Sequence, residues 1–136
     1  MRMTDMLSSI GRVQLKKINK ALKHRQRLVD LYKKELSGKF EFQEIPNYAT
    51  THANMFFAFL TSRSLRGKIQ KALFKKGIST RVTFTPAHLQ VWHKRYFKNQ
   101  GFKNAENIFS RILSVPLGNK ITVEQVEKVI KALKTI

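Results

Sequence analysis

Apolar residues recur at a helical period through the first part of the chain, which predicts one long helix from Arg2 to Leu36. Thr4 can cap its first turn, and Gly38 can end it because glycine adopts the left-handed conformation of helix C-termini. A helix of roughly 30 residues extends about 45 Å, which is more than a small domain covers. Its apolar face therefore requires a partner surface or a further part of the same protein. The apolar positions are Met3, Met6, Leu7, Ile10, Ile18, Ala21, Leu22, Leu28, Val29, Tyr32 and Leu36.

Short apolar or alternating runs after this helix predict a small sheet. Residues 39–48 alternate and then reach Pro46, which is typical of an edge strand or an extended connection. Residues 52–60 form the strongest strand, which we place centrally with both faces covered because its Phe residues are clustered. The β-branched run 78–84 and the brief run 113–115 supply two more strands.

The helix after the central strand begins at Ser62 or Ser64 and ends at Gly77. Its predicted buried face consists of Leu65, Ile69, Ala72 and Leu73. Residues 87–97 predict a short helix that follows a proline turn.

Two helices close the chain. Asn104 caps the first, which runs to Arg111 and turns Ile108 inward. Thr122 and Gln125 form a capping box at the start of the last helix. The order of these elements predicts an α/β (α+β) fold in which helices pack on a small, largely antiparallel sheet.

The length of 136 residues suits one domain, with a long interface helix over 1–37 and a sheet-and-helix unit over 38–136. The chain has no cysteine, which excludes disulfides, thiolate zinc sites and a cysteine nucleophile. No apolar run approaches the roughly 20 residues that span a bilayer, and polar residues interrupt the N-terminus. We therefore expect a cytoplasmic protein without a membrane partner.

The chain is strongly basic, with 27 Lys and Arg against 8 Asp and Glu and a formal net charge of +19. Most basic residues fall opposite the apolar stripes of the predicted helices, which favours a solvated basic face. The charge also predicts nonspecific attraction of nucleic acid, although no DNA- or RNA-binding signature accompanies it. A basic nucleic-acid-binding or regulatory module is therefore the alternative function.

Three stretches of the chain carry a family resemblance. The first, residues 2–6 (RMTDM) followed by 10–15 (IGRVQL), resembles the segment that opens the C-terminal region of the DegT/StrS family of sugar aminotransferases. The resemblance implies a pyridoxal phosphate (PLP) enzyme that puts an amino group on a keto-sugar nucleotide. Arg2 matches the arginine that reaches the anionic substrate or cofactor region across the family's dimer interface. Met1 stands at the family's preceding aromatic position, as in a truncated copy.

The second stretch, residues 77–90, contains three candidate substrate-binding side chains. Arg81 offers a planar fork to phosphate or carboxylate, and Phe84 can stack on a sugar or base. His88 follows a proline turn, from which a side chain can point into a cleft. In the alternative interpretation, Arg81 makes a surface salt bridge and His88 packs beside Trp92. The resemblance implies that this loop approaches the active site, often that of the neighbouring subunit.

The sequence departs from the family at Thr83, where many members carry histidine, and at Phe84, where they often carry tyrosine. These changes remove an imidazole and a hydroxyl, which weakens polar contacts to the substrate. The third stretch, residues 114–117 followed by 122–126, is similar to the family's serine-leucine-proline-leucine turn and final helix. The three stretches keep their order and spacing, so the resemblance covers almost the whole chain.

The family's PLP-binding large domain has no counterpart in this sequence. The resemblance places the Schiff-base lysine, the aspartate at the pyridine nitrogen and most of the phosphate cradle upstream of this region. We therefore expect that this chain alone binds no PLP and carries no catalytic residue. We also expect no metal site, because the histidines are isolated in the sequence.

The leading hypothesis is a truncated C-terminal domain of a PLP-dependent nucleotide-sugar aminotransferase, inactive alone. Its role is to shape the substrate side and the dimer interface. Its expected partner is a second copy in a homodimer or a separate PLP-binding large-domain chain.

Overall fold

The computed structural model describes residues 2–97 and 101–136, which form four α-helices and a three-stranded antiparallel sheet. In chain order the elements are α1 (Asp5–Leu36), β1 (Glu41–Phe42), β2 (Phe57–Leu60), α2 (Arg63–Lys75), a 3₁₀ turn (Ala87–Leu89), α3 (Lys103–Arg111), β3 (Ile112–Val115) and α4 (Val123–Lys134). The strands lie in the order β1-β2-β3, so β2 is central as predicted. The mixed α/β class and the antiparallel sheet are confirmed.

Helix α1 is the long helix that the apolar periodicity predicts. The Thr4 hydroxyl accepts a hydrogen bond of 3.4 Å from the backbone N–H of Leu7, one of the donors left free by the first turn. Only the second half of the helix is covered. Its buried residues are Leu28, Val29, Tyr32 and Leu36. Residues 5–20 carry no buried side chain.

The core is one cluster that joins side chains of α1, α2 and α4 to those of β2 and β3. Tyr32 stacks on Phe57 with ring centroids 4.6 Å apart, and its hydroxyl donates a hydrogen bond of 2.9 Å to the carbonyl of Pro116. Burial raises the pKa of the Tyr32 hydroxyl, because the phenolate would lose its hydration there. Two residues further along β2, on the same face, Phe59 packs on Phe40 with ring centroids 4.2 Å apart.

Strand β2 is covered on one face only. Phe57 and Phe59 are buried, whereas Ala58 and Leu60 are half-buried. Alternate side chains of a strand point to opposite faces, and the helical layer covers the face that carries the two Phe residues. The prediction that both faces are covered is therefore wrong.

Residues 78–84 form an extended segment and not the predicted strand. They join the sheet by a single bridge, in which Arg81 and Ser114 exchange backbone hydrogen bonds of 3.0 and 2.7 Å. Val82 is half-buried and Phe84 is 71% exposed. Ile78 and Val82 pack against the core, so side-chain packing and the single bridge hold this segment without a regular hydrogen-bond ladder.

The predicted helix over residues 87–97 is also wrong. Only Ala87–Leu89 form a short 3₁₀ turn, and residues 90–97 continue as turns and bends. Trp92 lies in the solvent-exposed part of this segment. Without a buried apolar face, a helix of this length has little to stabilise it.

Helix α3 begins after Phe102, and not after Asn104 as predicted. The carboxylate of Glu106 accepts the backbone N–H of Phe102 at 3.2 Å, which ties down the start of the helix without a cap from Asn104. Ile108, predicted to point inward, is exposed, and no described residue of α3 is buried.

Helices α2 and α4 start as predicted. Ser62 caps α2, although Leu65 in its first turn is exposed and not buried as expected. The capping box of α4 is confirmed, with hydrogen bonds of 3.0 and 3.3 Å between Thr122 and Gln125. Among the described residues, no helix combines the length and apolarity needed to cross a bilayer.

An ion pair joins the ends of α1 and α4. The ammonium group of Lys134 donates a hydrogen bond of 2.6 Å to the carboxylate of Glu35. This hydrogen bond and the positive charge lower the pKa of Glu35. The contact lies at the surface, so packing and not this pair holds the two helices together.

The hydroxyl of Tyr32 provides a direct test of the core. Tyr32→Phe is expected to lower the free energy of unfolding by about 1–2 kcal/mol, because the ring stack remains while the carbonyl of Pro116 loses its donor. Urea denaturation measures the change. Tyr48→Phe is the matched control, since Tyr48 is 87% exposed. Equal losses in the two variants would contradict the role of the buried hydroxyl.

Candidate functional site

A cleft of about 360 Å³ opens between α1, the segment before β2 and the residues after the Arg81 bridge. Its aromatic walls are Phe42, Phe56, Phe57 and Phe84. Its polar lining residues include Lys33, His52, Asn54, Thr83 and Ser114. Apolar walls with a few polar groups are typical of small-molecule sites.

The floor of the cleft is held to α1 by a hydrogen-bond network around Asn54. This residue is buried and has a positive φ of 45°, a conformation that asparagine tolerates better than most residues. Its amide nitrogen donates to the side-chain oxygen of Gln26 at 2.7 Å, and Gln26 in turn donates to Asp30 at 2.7 Å. The segment before β2 is therefore fixed by side chains and not by strand pairing.

The same network orients His52. Its Nδ1 lies 2.8 Å from the amide oxygen of Asn54. The backbone N–H of Asn54 also donates toward Nδ1, at 3.2 Å, so two contacts with Asn54 hold the ring in place. His52 and Asn54 were not among the predicted site residues, and the sequence signal available for them was the HAN segment (52–54) that precedes the Phe-rich strand.

Of the four predicted substrate-binding residues, Phe84 lines the cleft. Its ring meets Phe56 edge-on at 5.7 Å. The neighbouring Thr83 hydroxyl lies 2.9 Å from that of Ser114, which holds this wall of the cleft to β3. Arg81 does not line the cleft, and its backbone forms the bridge to Ser114. Its side chain is exposed and makes no ion pair among the residues described.

His88 and Arg2 lie outside the lining of the cleft. His88 is buried, with Nε2 3.0 Å from a carboxylate oxygen of Glu106 and its ring 4.6 Å from that of Phe102. Its ring neighbour is therefore Phe102 and not the predicted Trp92. Arg2 is exposed ahead of the first turn of α1. The substrate-binding roles of Arg2, Arg81, Phe84 and His88 stay predictions.

The described part of the chain does not fit PLP by itself. PLP requires a lysine for the Schiff base and a charged partner for the pyridine nitrogen. Lys33 lines the cleft and is half-buried, but no Asp or Glu is among the cleft residues. The other described lysines are exposed. No three His, Asp or Glu side chains come together in residues 2–97 and 101–136 as a metal site would need.

The sequence profile of the DegT/DnrJ/EryC1/StrS aminotransferase family matches residues 1–134. The chain belongs to this family. Membership confirms the resemblance that the three sequence stretches carry.

Two curated relatives align with almost the whole of this aminotransferase-family chain. Uncharacterized protein MJ1066 of Methanocaldococcus jannaschii is 31% identical over 98% of this chain and 36% of its own length. Spore coat polysaccharide biosynthesis protein SpsC of Bacillus subtilis is 27% identical over 100% of this chain and 37% of its own length. The chain thus spans little more than a third of the curated relatives it matches.

Solved structures share the fold over a similar part. DesV of S. venezuelae, crystallised with a ketimine intermediate, superposes with a TM-score of 0.89 at 22% identity, covering 98% of this chain and 36% of DesV. Sugar aminotransferase Spr1654 of Streptococcus pneumoniae, in its PLP form, superposes with a TM-score of 0.82 at 26% identity, covering 98% of this chain and 36% of Spr1654. The aminotransferase interpretation is confirmed at the level of family and fold, and the nucleic-acid alternative finds no support in these matches.

Asn54 tests whether the floor of the cleft depends on its network. Asn54→Ala is expected to lower the free energy of unfolding by about 2–3 kcal/mol, because it removes buried hydrogen bonds and keeps a positive φ. Asn54→Gly removes the same bonds but accepts that φ, so its loss should be about 1 kcal/mol smaller. Denaturant titration compares the two, with the exposed Asn47→Ala as control. A loss from Ala that is no larger than that from Gly would refute this explanation.

Proposed function

We propose that this chain is the C-terminal domain of a PLP-dependent nucleotide-sugar aminotransferase and that it shapes the substrate side and the dimer interface. The rest of the enzyme, in the same polypeptide or in a separate chain, brings the residues that hold PLP. Family membership and fold support this role. The observation that carries it is the uncovered apolar face of α1.

That face begins where the covered part of the helix ends. The uncovered row consists of Met3, Met6, Leu7, Ile10, Val13 and Ile18. With 3.6 residues per turn, the row lies on the same side of the helix as Leu28 and Tyr32 in the core. Exposure within the row runs from 43% at Ile18 to 77% at Met6. A contiguous apolar row of this kind marks a surface that another part of a protein covers.

A groove of about 800 Å³ adjoins the row at Ile18. Arg25 lines this groove and donates from Nη1 to the carbonyl of Ala53 at 2.8 Å. Its Nε is buried and has no hydrogen-bond acceptor among the described residues. Through Nη1 Arg25 is tied to the segment before β2, and the open groove leaves room for a covering part beside the row.

The cleft supplies groups suited to the sugar-nucleotide end of the substrate. The exposed ring of Phe84 offers an apolar face to a sugar or base, and the ammonium group of Lys33 offers a charge to a phosphate. Nε2 of His52 can form a hydrogen bond with a sugar hydroxyl, because a hydroxyl both donates and accepts. Arg2, Arg81 and His88 enter this proposal through the family resemblance, and none of the three lines the cleft.

PLP, when bound to the rest of the enzyme, supplies the electron sink for amino-group transfer. The residues of this chain bind and orient the substrate and exclude water from the shared site. Since no described lysine is buried beside a carboxylate, the chain alone should not transfer amino groups.

Titration of the purified chain with PLP tests the proposal. We expect no saturable imine absorbance and no amino transfer from glutamate to a keto-sugar nucleotide. As a positive control, the chain replaces the matching C-terminal region of Spr1654, and this hybrid should bind PLP and react. Saturable imine formation together with turnover by the chain alone would overturn the proposal, as would a folded hybrid that binds PLP yet ignores the nucleotide sugar.

In the same hybrid, Phe84→Ala should raise KM for the nucleotide sugar more than it lowers kcat, because it removes a binding surface and no reacting group. Phe74→Ala is the matched control, since Phe74 is 79% exposed and does not line the cleft.

A further inference from the structure

The acidic residues of this chain avoid its middle. Residues 45–105 contain eleven Lys and Arg and no Asp or Glu, whereas all eight acidic residues lie before or after that range. Such a charge asymmetry attracts a polyanion and repels cationic surfaces. The described basic side chains of this range are exposed or, in Arg66, used internally: Arg66 donates to the carbonyl of Phe109 at 2.6 Å.

Within this basic range, one loop exposes large apolar side chains. We call residues 91–97, which follow the 3₁₀ turn, the aromatic loop. Val91 is 94% exposed, Trp92 68% and Tyr96 65%. Lys94 and Arg95 lie between the two aromatic residues. The loop therefore combines exposed apolar side chains with two positive charges.

The loop holds a defined shape. The backbone N–H groups of His93 and Lys94 both donate to the carbonyl of Gln90, at 3.0 and 2.9 Å. The guanidinium of Arg95 stacks over the ring of Trp92 at 4.1 Å and over that of Tyr96 at 4.8 Å. The apolar tip and its cations are thus arranged before any partner arrives, which lowers the entropic cost of binding.

We propose that the aromatic loop binds the surface of an anionic membrane. Trp92 and Tyr96 have the amphipathic rings that prefer the headgroup level of a bilayer, and Val91 extends the apolar tip toward the acyl chains. Lys94 and Arg95 meet the lipid phosphates. Glu106 adjoins the loop through Phe102 and Phe97, but its carboxylate is already engaged by His88 and by the backbone N–H of Phe102. This peripheral contact goes beyond the proposed aminotransferase role, and it replaces the expectation of a protein without a membrane partner.

A nucleic acid fits the loop less well. Sequence-tolerant binding of single strands depends on bases that stack on aromatic faces. One face of Trp92 and one of Tyr96 are already occupied by Arg95, and Val91 has no stacking surface. Val91, the most exposed residue of the loop, would bury apolar area by inserting into lipid but cannot stack on a base.

Trp92 is the sole tryptophan of the chain, so its fluorescence reports on the proposed site directly. The experiment mixes the full 136-residue chain with vesicles of phosphatidylcholine that contain about 30% phosphatidylglycerol, or none. With anionic vesicles we expect the chain to sediment and the Trp92 emission to move to shorter wavelength, with protection from a soluble quencher. Neutral vesicles should give neither, and added salt should weaken both.

A pair of variants separates the loop from net charge. Lys94→Gln with Arg95→Gln should weaken vesicle binding about 30-fold, from the loss of two cations at the surface. Lys16→Gln with Lys20→Gln removes the same charge from an exposed part of α1 and should have little effect. Val91→Ser keeps the charge and should still weaken binding a few-fold, because it removes apolar area from the tip.

Three results would overturn the inference. The first is sedimentation with anionic vesicles without a change in Trp92 emission, which would place the contact elsewhere. The second is an equal loss of vesicle affinity in the two double variants, which would mean that net charge alone explains the binding. The third is a single-stranded oligonucleotide that shifts Trp92 and displaces the chain from vesicles, which would make nucleic acid the partner.

Discussion

The structure depends on one helix whose apolar face is longer than the core it serves. In its second half, Leu28, Tyr32 and Leu36 of α1 pack into the cluster built on β2 and β3. In its first half, the same face carries exposed residues such as Leu7 and Ile10. Burial of apolar area is the main favourable term in folding, so the uncovered half of α1 supports the proposal that another part of the enzyme packs on it. The size of the family's other members, of which this chain matches little more than a third, agrees with that interpretation.

The covered half of α1 also builds the cleft. Tyr32 stacks on Phe57 and so fixes the distance between α1 and β2. Gln26 holds the segment before β2 in place through its hydrogen bond with Asn54. Lys33, one residue after Tyr32, then lines the cleft. Core and site therefore share one element, and a change that shifts α1 alters both.

The sequence was sufficient for elements with strong local signals. The helical period of α1, the Thr4 cap and the capping box at Thr122 predicted the long helix and α4 with their starts, because capping and amphipathic burial act over a few neighbouring residues. The order of strands and helices was enough for the fold class. The family resemblance over the three stretches was confirmed by the match over residues 1–134.

The wrong predictions concern segments whose conformation depends on tertiary contacts. Residues 78–84 have β-branched composition, but only Arg81 forms a backbone bridge, to Ser114 on the edge of β3 that faces away from β2. The short helix predicted over residues 87–97 is absent, and Trp92 within that range lies on an exposed loop. The network of Asn54 was missed because it joins residues 28 apart in sequence, and polar contacts at that distance leave no periodic pattern.

Amide hydrogen exchange along α1 tests the central claim most directly, since it reads the coverage of each turn separately. In the free chain, amides of residues 8–20 should exchange fast while those of residues 28–36 stay protected. In the hybrid with the remainder of Spr1654, both halves should be protected. Equal protection of the two halves in the free chain, or an unprotected first half in a folded hybrid, would contradict the claim that the first half of α1 is built to be covered.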